Sequence, residues 1–269
     1  MNEVFDIKRF GKLVQYEVVN YMPRFFKSLL IFASIIFATW ILSITTTVDT
    51  DLWDKSRAGL VQFLFTLAVM LAPFIVYKDI NNRKKGYMYA MIPASTFEKL
   101  LSMIVLCVVV VQCLSYVVLQ ATDILLWLLS QAGIGSFVHL DIYNPFADNW
   151  GTIILKNGDI GEFGLPLLDS FLSTEVPIFY AMMFNVIFRK NKVLKTVLFN
   201  MALAFVSVVL ITMLFDTDFI DNAWDMLRNC FDSEEGFIIF WLVFWRISAL
   251  LFGFLYLVIT YFRIKKVNY

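Results

Sequence analysis

Residues 100–120 read LLSMIVLCVVVVQCLSYVVLQ, a run of 21 residues without a charged side chain. The hydrocarbon core of a bilayer is about 30 Å thick, and ~20 consecutive apolar residues in an α-helix cross it. This run is long enough and apolar enough to do so. We therefore predict a transmembrane helix at residues 100–120.

Five further runs of similar length and character occur along the chain. With 60% hydrophobic residues and a mean hydropathy of +0.74, the 269 residues leave no segment able to bury a soluble core of its own. We predict an all-α membrane protein that forms one polytopic domain over residues 1–269. Its six predicted spans are 28–46, 59–77, 100–120, 166–188, 194–215 and 236–262.

Basic residues are concentrated in alternate connections between these runs. Of the 22 Lys and Arg residues, 17 fall before the first run, around residues 78–99, around residues 189–195 or after the last run. Of the 22 acidic residues, 16 fall on the other side of this map. The positive-inside rule then predicts that both termini are cytoplasmic and that residues 131–165 and 216–235 are outer loops. The absence of an N-x-S/T site fits a bacterial cytoplasmic membrane.

The segment before the first run, residues 1–27, has the pattern of an amphipathic helix. Its apolar residues recur at helical spacing, with Lys8, Arg9 and Lys12 facing the other way. Such a helix lies at the membrane surface on the cytosolic side, where its cations reach anionic lipid or a partner, or where it is a simple anchor. The apolar residues of this predicted interfacial helix are Ile7, Phe10, Val14, Val18, Tyr21 and Phe25.

Residues 79–99 form the cytosolic connection between the second and third predicted spans. Tyr87, Tyr89, Met91 and Ile92 make this loop unusually apolar, so the patch must be buried in lipid, packed internally or covered by another protein. Ser95 and Glu98 have the spacing of a capping box directly before the apolar run. This pattern predicts that residue 95 caps the third span.

The chain lacks the motifs of several enzyme classes. It has no G-x-x-x-x-G-K-S/T loop, no H-E-x-x-H and no G-x-S-x-G, and its one histidine, His139, lies in a predicted outer loop. We predict no catalytic activity, no cofactor, no metal site and no nucleic-acid partner. If ATP powers this protein, another polypeptide hydrolyses it.

Two charged residues fall inside predicted spans. Glu175 lies 14 residues before Arg189, and Arg246 lies 17 residues before Arg263, so the two have similar depths in the bilayer. Because a lone charge in a membrane is costly, we predict an ion pair between Glu175 and Arg246. The alternative is that each side chain reaches the outer headgroups separately.

The end of the cytosolic connection, MIPASTFEK at residues 91–99, resembles the L-P-A-S-x-x-E-K signature of ABC-2 type permeases of bacterial ABC exporters. This sequence has Met91 and Ile92 where leucine often precedes the proline, and its outer loop after span three is longer than in the family. The resemblance implies that a coupling helix between spans two and three docks on an ATPase. The residues that it and the apolar patch assign to coupling are Tyr87, Tyr89, Met91, Ile92, Pro93, Ala94, Ser95, Glu98 and Lys99.

The function expected from this resemblance is that of the membrane subunit of an ABC exporter. Its partners would be a separate ATPase subunit and a second permease chain, identical or related. The alternative is a membrane protein that does not use ATP, either a secondary transporter or a scaffold. A neighbouring reading frame that encodes an ATPase would favour the exporter.

Overall fold

The computed structural model describes residues 5–45, 50–80, 86–131, 152–154, 160–162, 166–214 and 234–266. Apart from one short hairpin, the regular structure of these residues is helical. The helices are α1 (Ile7–Thr45), α2 (Thr50–Val76), α3 (Gly86–Met91), α4 (Thr96–Ile104), α5 (Val111–Gln131), α6 (Pro166–Ile187), α7 (Lys192–Leu214) and α8 (Glu234–Lys266).

By length and composition, five of the described helical stretches can cross a membrane, in agreement with a helical membrane protein. In α6 the apolar stretch among the described side chains, Thr174–Ile187, is shorter than a full crossing. A count of six spans therefore remains a prediction. The five stretches are Ile7–Leu42, Gly59–Val76, Thr96–Leu129, Lys192–Leu210 and Val243–Lys266.

The N-terminal segment does not form a separate surface helix, which corrects the prediction for residues 1–27. From Ile7 onward it is continuous with the first predicted span in the single helix α1, and Pro23 lies within this helix without ending it. Its apolar arc contacts protein instead of lying only on lipid: Phe25 is fully buried, and Val14 packs against the same core. Two polar residues of this helix, Arg9 and Glu17, also bind side chains outside this helix, as described below.

The third long helix extends beyond the predicted span at both ends, from Thr96 to Gln131. Between α4 and α5 the residues Val105–Val110 form a π-helical segment, in which backbone hydrogen bonds pair residues five apart. Short π-helical insertions of this kind are rare and occur often at functional sites. Leu106 and Cys107 in this segment are fully buried.

Packing among the helices produces one main core. Helix α6 packs along α8 and α2, and α1 packs against α2 and α5. Gly253 of α8 lies against α6, where a Cβ atom would be in van der Waals contact at 3.4 Å from Val176 Cγ2 and 3.6 Å from Phe179 Cδ2. Helix α7 lies outside this core and keeps most of its apolar side chains exposed.

Tight connections on the side predicted to be cytosolic bring the helix ends together. Asn191, between α6 and α7, has a φ of 50°. This left-handed conformation is accessible to asparagine, whose short polar side chain tolerates it. The turn places Lys192, the first residue of α7, beside the end of α2.

The predicted outer loops are described only in part. Thr152–Ile154 (β1) pairs antiparallel with Ile160–Glu162 (β2). The rest of that loop, including His139, and residues 216–233 of the second loop lie outside the described residues.

Candidate functional site

The start of α4 confirms the predicted capping box. The Ser95 hydroxyl accepts a hydrogen bond from the backbone N–H of Glu98 at 3.2 Å, and the Ser95 backbone N–H donates to Glu98 Oε2 at 2.7 Å. These bonds satisfy backbone donors that a helix start leaves without partners. They also fix the orientation of the Glu98 carboxylate.

Glu98 is also bound by the N-terminal helix, 89 residues away in the chain. Arg9 Nη2 donates to Glu98 Oε1 at 2.6 Å, and Arg9 Nε donates to Oε2 at 2.9 Å. The backbone N–H of Asp6 donates to Oε1 at 2.9 Å. Glu98 is fully buried, so the planar fork of the Arg9 guanidinium supplies its counter-charge. The capping residue of the third long helix is therefore locked to the start of α1.

A second buried carboxylate lies two turns further along α1. Glu17 is fully buried, and the hydroxyl of Tyr77 donates to Glu17 Oε2 at 2.8 Å. Glu17 Oε1 has no hydrogen bond in the structure. Tyr77 follows the end of α2, so this bond ties α1 to α2 as the Arg9 bond ties α1 to α4.

Tyr89 on α3 packs into the same cluster. Its ring centroid lies 6.5 Å from that of Tyr77, and only 6% of its surface is exposed. Burial, together with the nearby Glu17 carboxylate, raises the pKa of the Tyr89 phenol well above its usual range, so the phenol stays neutral. Lys99 Nζ donates to the Tyr89 carbonyl oxygen at 3.1 Å and lies 5.3 Å from the ring centroid.

The end of α2 is held from the opposite side by α6 and α7. Lys192 Nζ donates to Asn185 Oδ1 at 2.7 Å and to the Tyr77 carbonyl oxygen at 3.2 Å. The Asn185 amide donates to the Pro73 carbonyl oxygen at 2.9 Å. These donors satisfy carbonyl groups that the end of α2 exposes.

We call Glu17, Tyr77, Tyr89, Glu98 and Lys99, with Arg9, the polar cluster.

The structure separates the predicted coupling residues into buried and exposed ones. Ala94 is 3% exposed and Lys99 is 7% exposed, so with Tyr89, Glu98 and the half-buried Ile92 they pack internally. The patch predicted at Tyr87, Tyr89, Met91 and Ile92 has one exposed side chain among its described residues, that of Met91, which is 75% exposed. Pro93 is also exposed, and the Tyr87 side chain lies outside the described residues.

Two exposed aromatic residues that the sequence patterns did not single out lie at this place. Phe97, 52% exposed, and Phe5, 43% exposed, pack edge to face with ring centroids 6.1 Å apart. Both are aromatic residues in segments predicted to be cytosolic, and this pattern in the sequence could have identified them. We call Phe5, Met91, Pro93 and Phe97 the apolar surface.

The predicted ion pair between Glu175 and Arg246 is not among the ion pairs of the described residues. Glu175 Oε1 instead accepts a hydrogen bond from Gln112 Nε2 at 2.5 Å. Gly253 of α8 faces Val176 and Phe179 of α6, and Arg246 lies seven residues before Gly253 in α8.

No group of three or more His, Cys, Asp or Glu side chains that could hold a metal ion occurs among the described residues. The arrangement holds helices together and offers an apolar surface. Comparison with known proteins found no matching family model, no similar curated protein and no similar solved structure.

Proposed function

We propose that this chain is the membrane-spanning permease subunit of an ABC-type exporter in a bacterial cytoplasmic membrane. The ATPase is a separate subunit that docks on the apolar surface. The observation that carries the proposal is that Phe5, Met91, Pro93 and Phe97 are exposed at a segment predicted to face the cytosol. Large apolar side chains exposed to water mark a surface that a partner covers.

Behind the apolar surface, the polar cluster supplies a connection to the membrane helices. Phe97 is the residue next to Glu98, which binds Arg9 and the Asp6 backbone. Lys99 follows directly and binds the backbone of α3. A displacement of α3 and Phe97 by a docked ATPase would therefore move the start of α1 and of the third long helix together.

The proposal includes a second permease chain in the membrane. Helix α7 contributes little to the core, and Met201, Leu203 and Phe205 are each at least 58% exposed. The proposal assigns part of this surface to the second chain and the rest to lipid. Cross-linking through a cysteine at Phe205 in native membranes would yield covalent dimers if this assignment is correct.

Docking is tested by co-expression with an ATPase subunit encoded in the neighbouring reading frame. Met91→Asp and Phe97→Asp should each reduce the co-purified ATPase at least tenfold, because a buried carboxylate without a partner opposes the interface. Val193→Asp is the matched control, since Val193 is an apolar residue 42% exposed near the predicted cytosolic edge of α7.

The control variant should retain the ATPase, and all variants should insert into the membrane in similar amounts. Co-purification of the ATPase at the wild-type ratio with both Asp variants would refute docking on this surface. The absence of an ATPase gene near this one would favour a transporter or scaffold that does not use ATP.

A further inference from the structure

Glu175 is the feature of the membrane interior that the proposed function does not use. It lies in α6, two residues before Pro177, and is only 3% exposed. Gln112 of α5 donates a hydrogen bond to Oε1 at 2.5 Å. The other oxygen, Oε2, is buried and has no hydrogen-bond partner in the structure.

A second buried polar group without a partner lies on the same helix face as Gln112. Ser115 is three residues further along α5, a spacing that places side chains side by side. It is fully buried, and its hydroxyl oxygen has no hydrogen-bond partner. The interior of the helix bundle thus holds a carboxyl group, an amide and a hydroxyl with unused hydrogen-bonding capacity.

Glu175 makes no ion pair within the described residues. The stretch Gly59–Val76 of α2 contains no titratable residue, and the π-helical segment contributes the Cys107 thiol. On α8, Arg246 lies seven residues before Gly253, which faces Val176 and Phe179, and Tyr256 packs against Tyr180. Lys192 and Lys195 of α7 are at its first turn, where Lys192 binds the end of α2.

An ionised carboxylate in this position would have a neutral amide as its one hydrogen-bond donor. Burial of a charge in apolar surroundings is strongly unfavourable without an opposite charge, and membrane-embedded carboxyl groups that lack one bind a cation or a proton. Calcium and magnesium take about six or more oxygen ligands, more than a single carboxylate with an amide and a hydroxyl supplies.

We propose that Glu175 is a proton-binding site inside the membrane. The Oε2 atom takes one proton from water, which converts the carboxylate to a neutral acid, and returns it to water when the site opens. Gln112 is a positioning residue, because its amide holds Oε1 as the carbonyl oxygen and leaves Oε2 for the proton. This site depends on the membrane location of α5 and α6 and does not depend on ATPase docking.

Infrared difference spectroscopy of the full-length protein in lipid vesicles, between acidic and alkaline buffer, tests this directly. The wild type should show the carbonyl stretch of a protonated carboxylic acid in acid buffer and lose it in alkaline buffer. Glu175→Gln, which keeps the shape of the side chain, should lack that band. A spectrum identical in the wild type and in Glu175→Gln at every pH would overturn the proposal.

The Gln112→Leu variant tests the positioning role by a signature that a packing role would not change. Loss of the hydrogen bond to the carbonyl oxygen should raise the frequency of the Glu175 band, and an unchanged frequency would overturn this part. Sodium at constant pH should leave the band intact. Its disappearance on addition of sodium would show that a metal cation competes for the site and would overturn a site specific for the proton.

Discussion

Replacement of Tyr77 by phenylalanine should destabilise the helix bundle through Glu17. The hydroxyl of Tyr77 donates a hydrogen bond to Glu17 Oε2 at 2.8 Å, and both residues are almost completely buried. A buried acceptor left without a donor costs ~1 to 3 kcal/mol. A loss of ~2 kcal/mol, the middle of this range, should lower the apparent unfolding temperature of a chain of this size by roughly 4 to 8 °C.

The assay is thermal unfolding of the detergent-solubilised protein at one fixed scan rate, because membrane proteins often unfold irreversibly. Tyr21→Phe is the matched control: its ring centroid lies 5.8 Å from that of Tyr77, and its hydroxyl makes no hydrogen bond within the described residues. This control should stay close to the wild type.

A double-mutant cycle identifies the interaction itself. Tyr77→Phe combined with Glu17→Leu should be less destabilised than the sum of the single variants, because each single change already removes the same bond. Equal losses in Tyr77→Phe and Tyr21→Phe, or strict additivity in the cycle, would refute the assignment of a stabilising bond between α1 and α2.

Three further predictions concern the other contacts. Arg9→Gln should lower the monodisperse fraction in size-exclusion chromatography and Arg9→Lys should lower it less, because lysine keeps the charge facing Glu98 but loses the two-pronged geometry; equal profiles would contradict this. Gly253→Leu should lower the unfolding temperature more than Gly253→Ala, because a Cβ atom at residue 253 would already contact Val176 Cγ2 at 3.4 Å and a larger side chain would not fit. Equal effects of the two substitutions would argue against close packing. Asn191→Cys, in a background without the native cysteines, should react with an impermeant maleimide from the cytosolic side, and labelling from outside would reverse the topology.

Hydropathy and capping rules predicted the parts of the fold that depend on neighbouring residues. The long apolar run at residues 100–120 and the cap formed by Ser95 and Glu98 are both local patterns, and both are present in the structure. The same rules placed the extent of the helix too narrowly. A hydropathy rule counts apolar residues, and it therefore misses that the helix continues through the polar residue Asp123 to Gln131.

The contacts of the candidate site depended on information that local patterns lack. Arg9 and Glu98 are 89 residues apart, and Glu17 and Tyr77 are 60 apart, so periodicity within one helix cannot relate them. The cations on the polar face of α1 were predicted to reach anionic lipid or a partner, whereas Arg9 on this face binds Glu98 of the same chain. The pairing predicted for Glu175 and Arg246 also depended on contacts between helices, and Glu175 accepts a hydrogen bond from Gln112 of α5.

The π-helical segment Val105–Val110 gives the third long helix a property that a uniform α-helix lacks. Its backbone hydrogen bonds span five residues instead of four, which inserts one extra residue into the turn. One residue of an α-helix corresponds to a rotation of about 100°, so the side chains after the segment are turned by this angle relative to an uninterrupted α-helix. The half that bears Glu98 and the half that bears Gln112 can therefore both bury these side chains, in directions that a uniform helix would not combine.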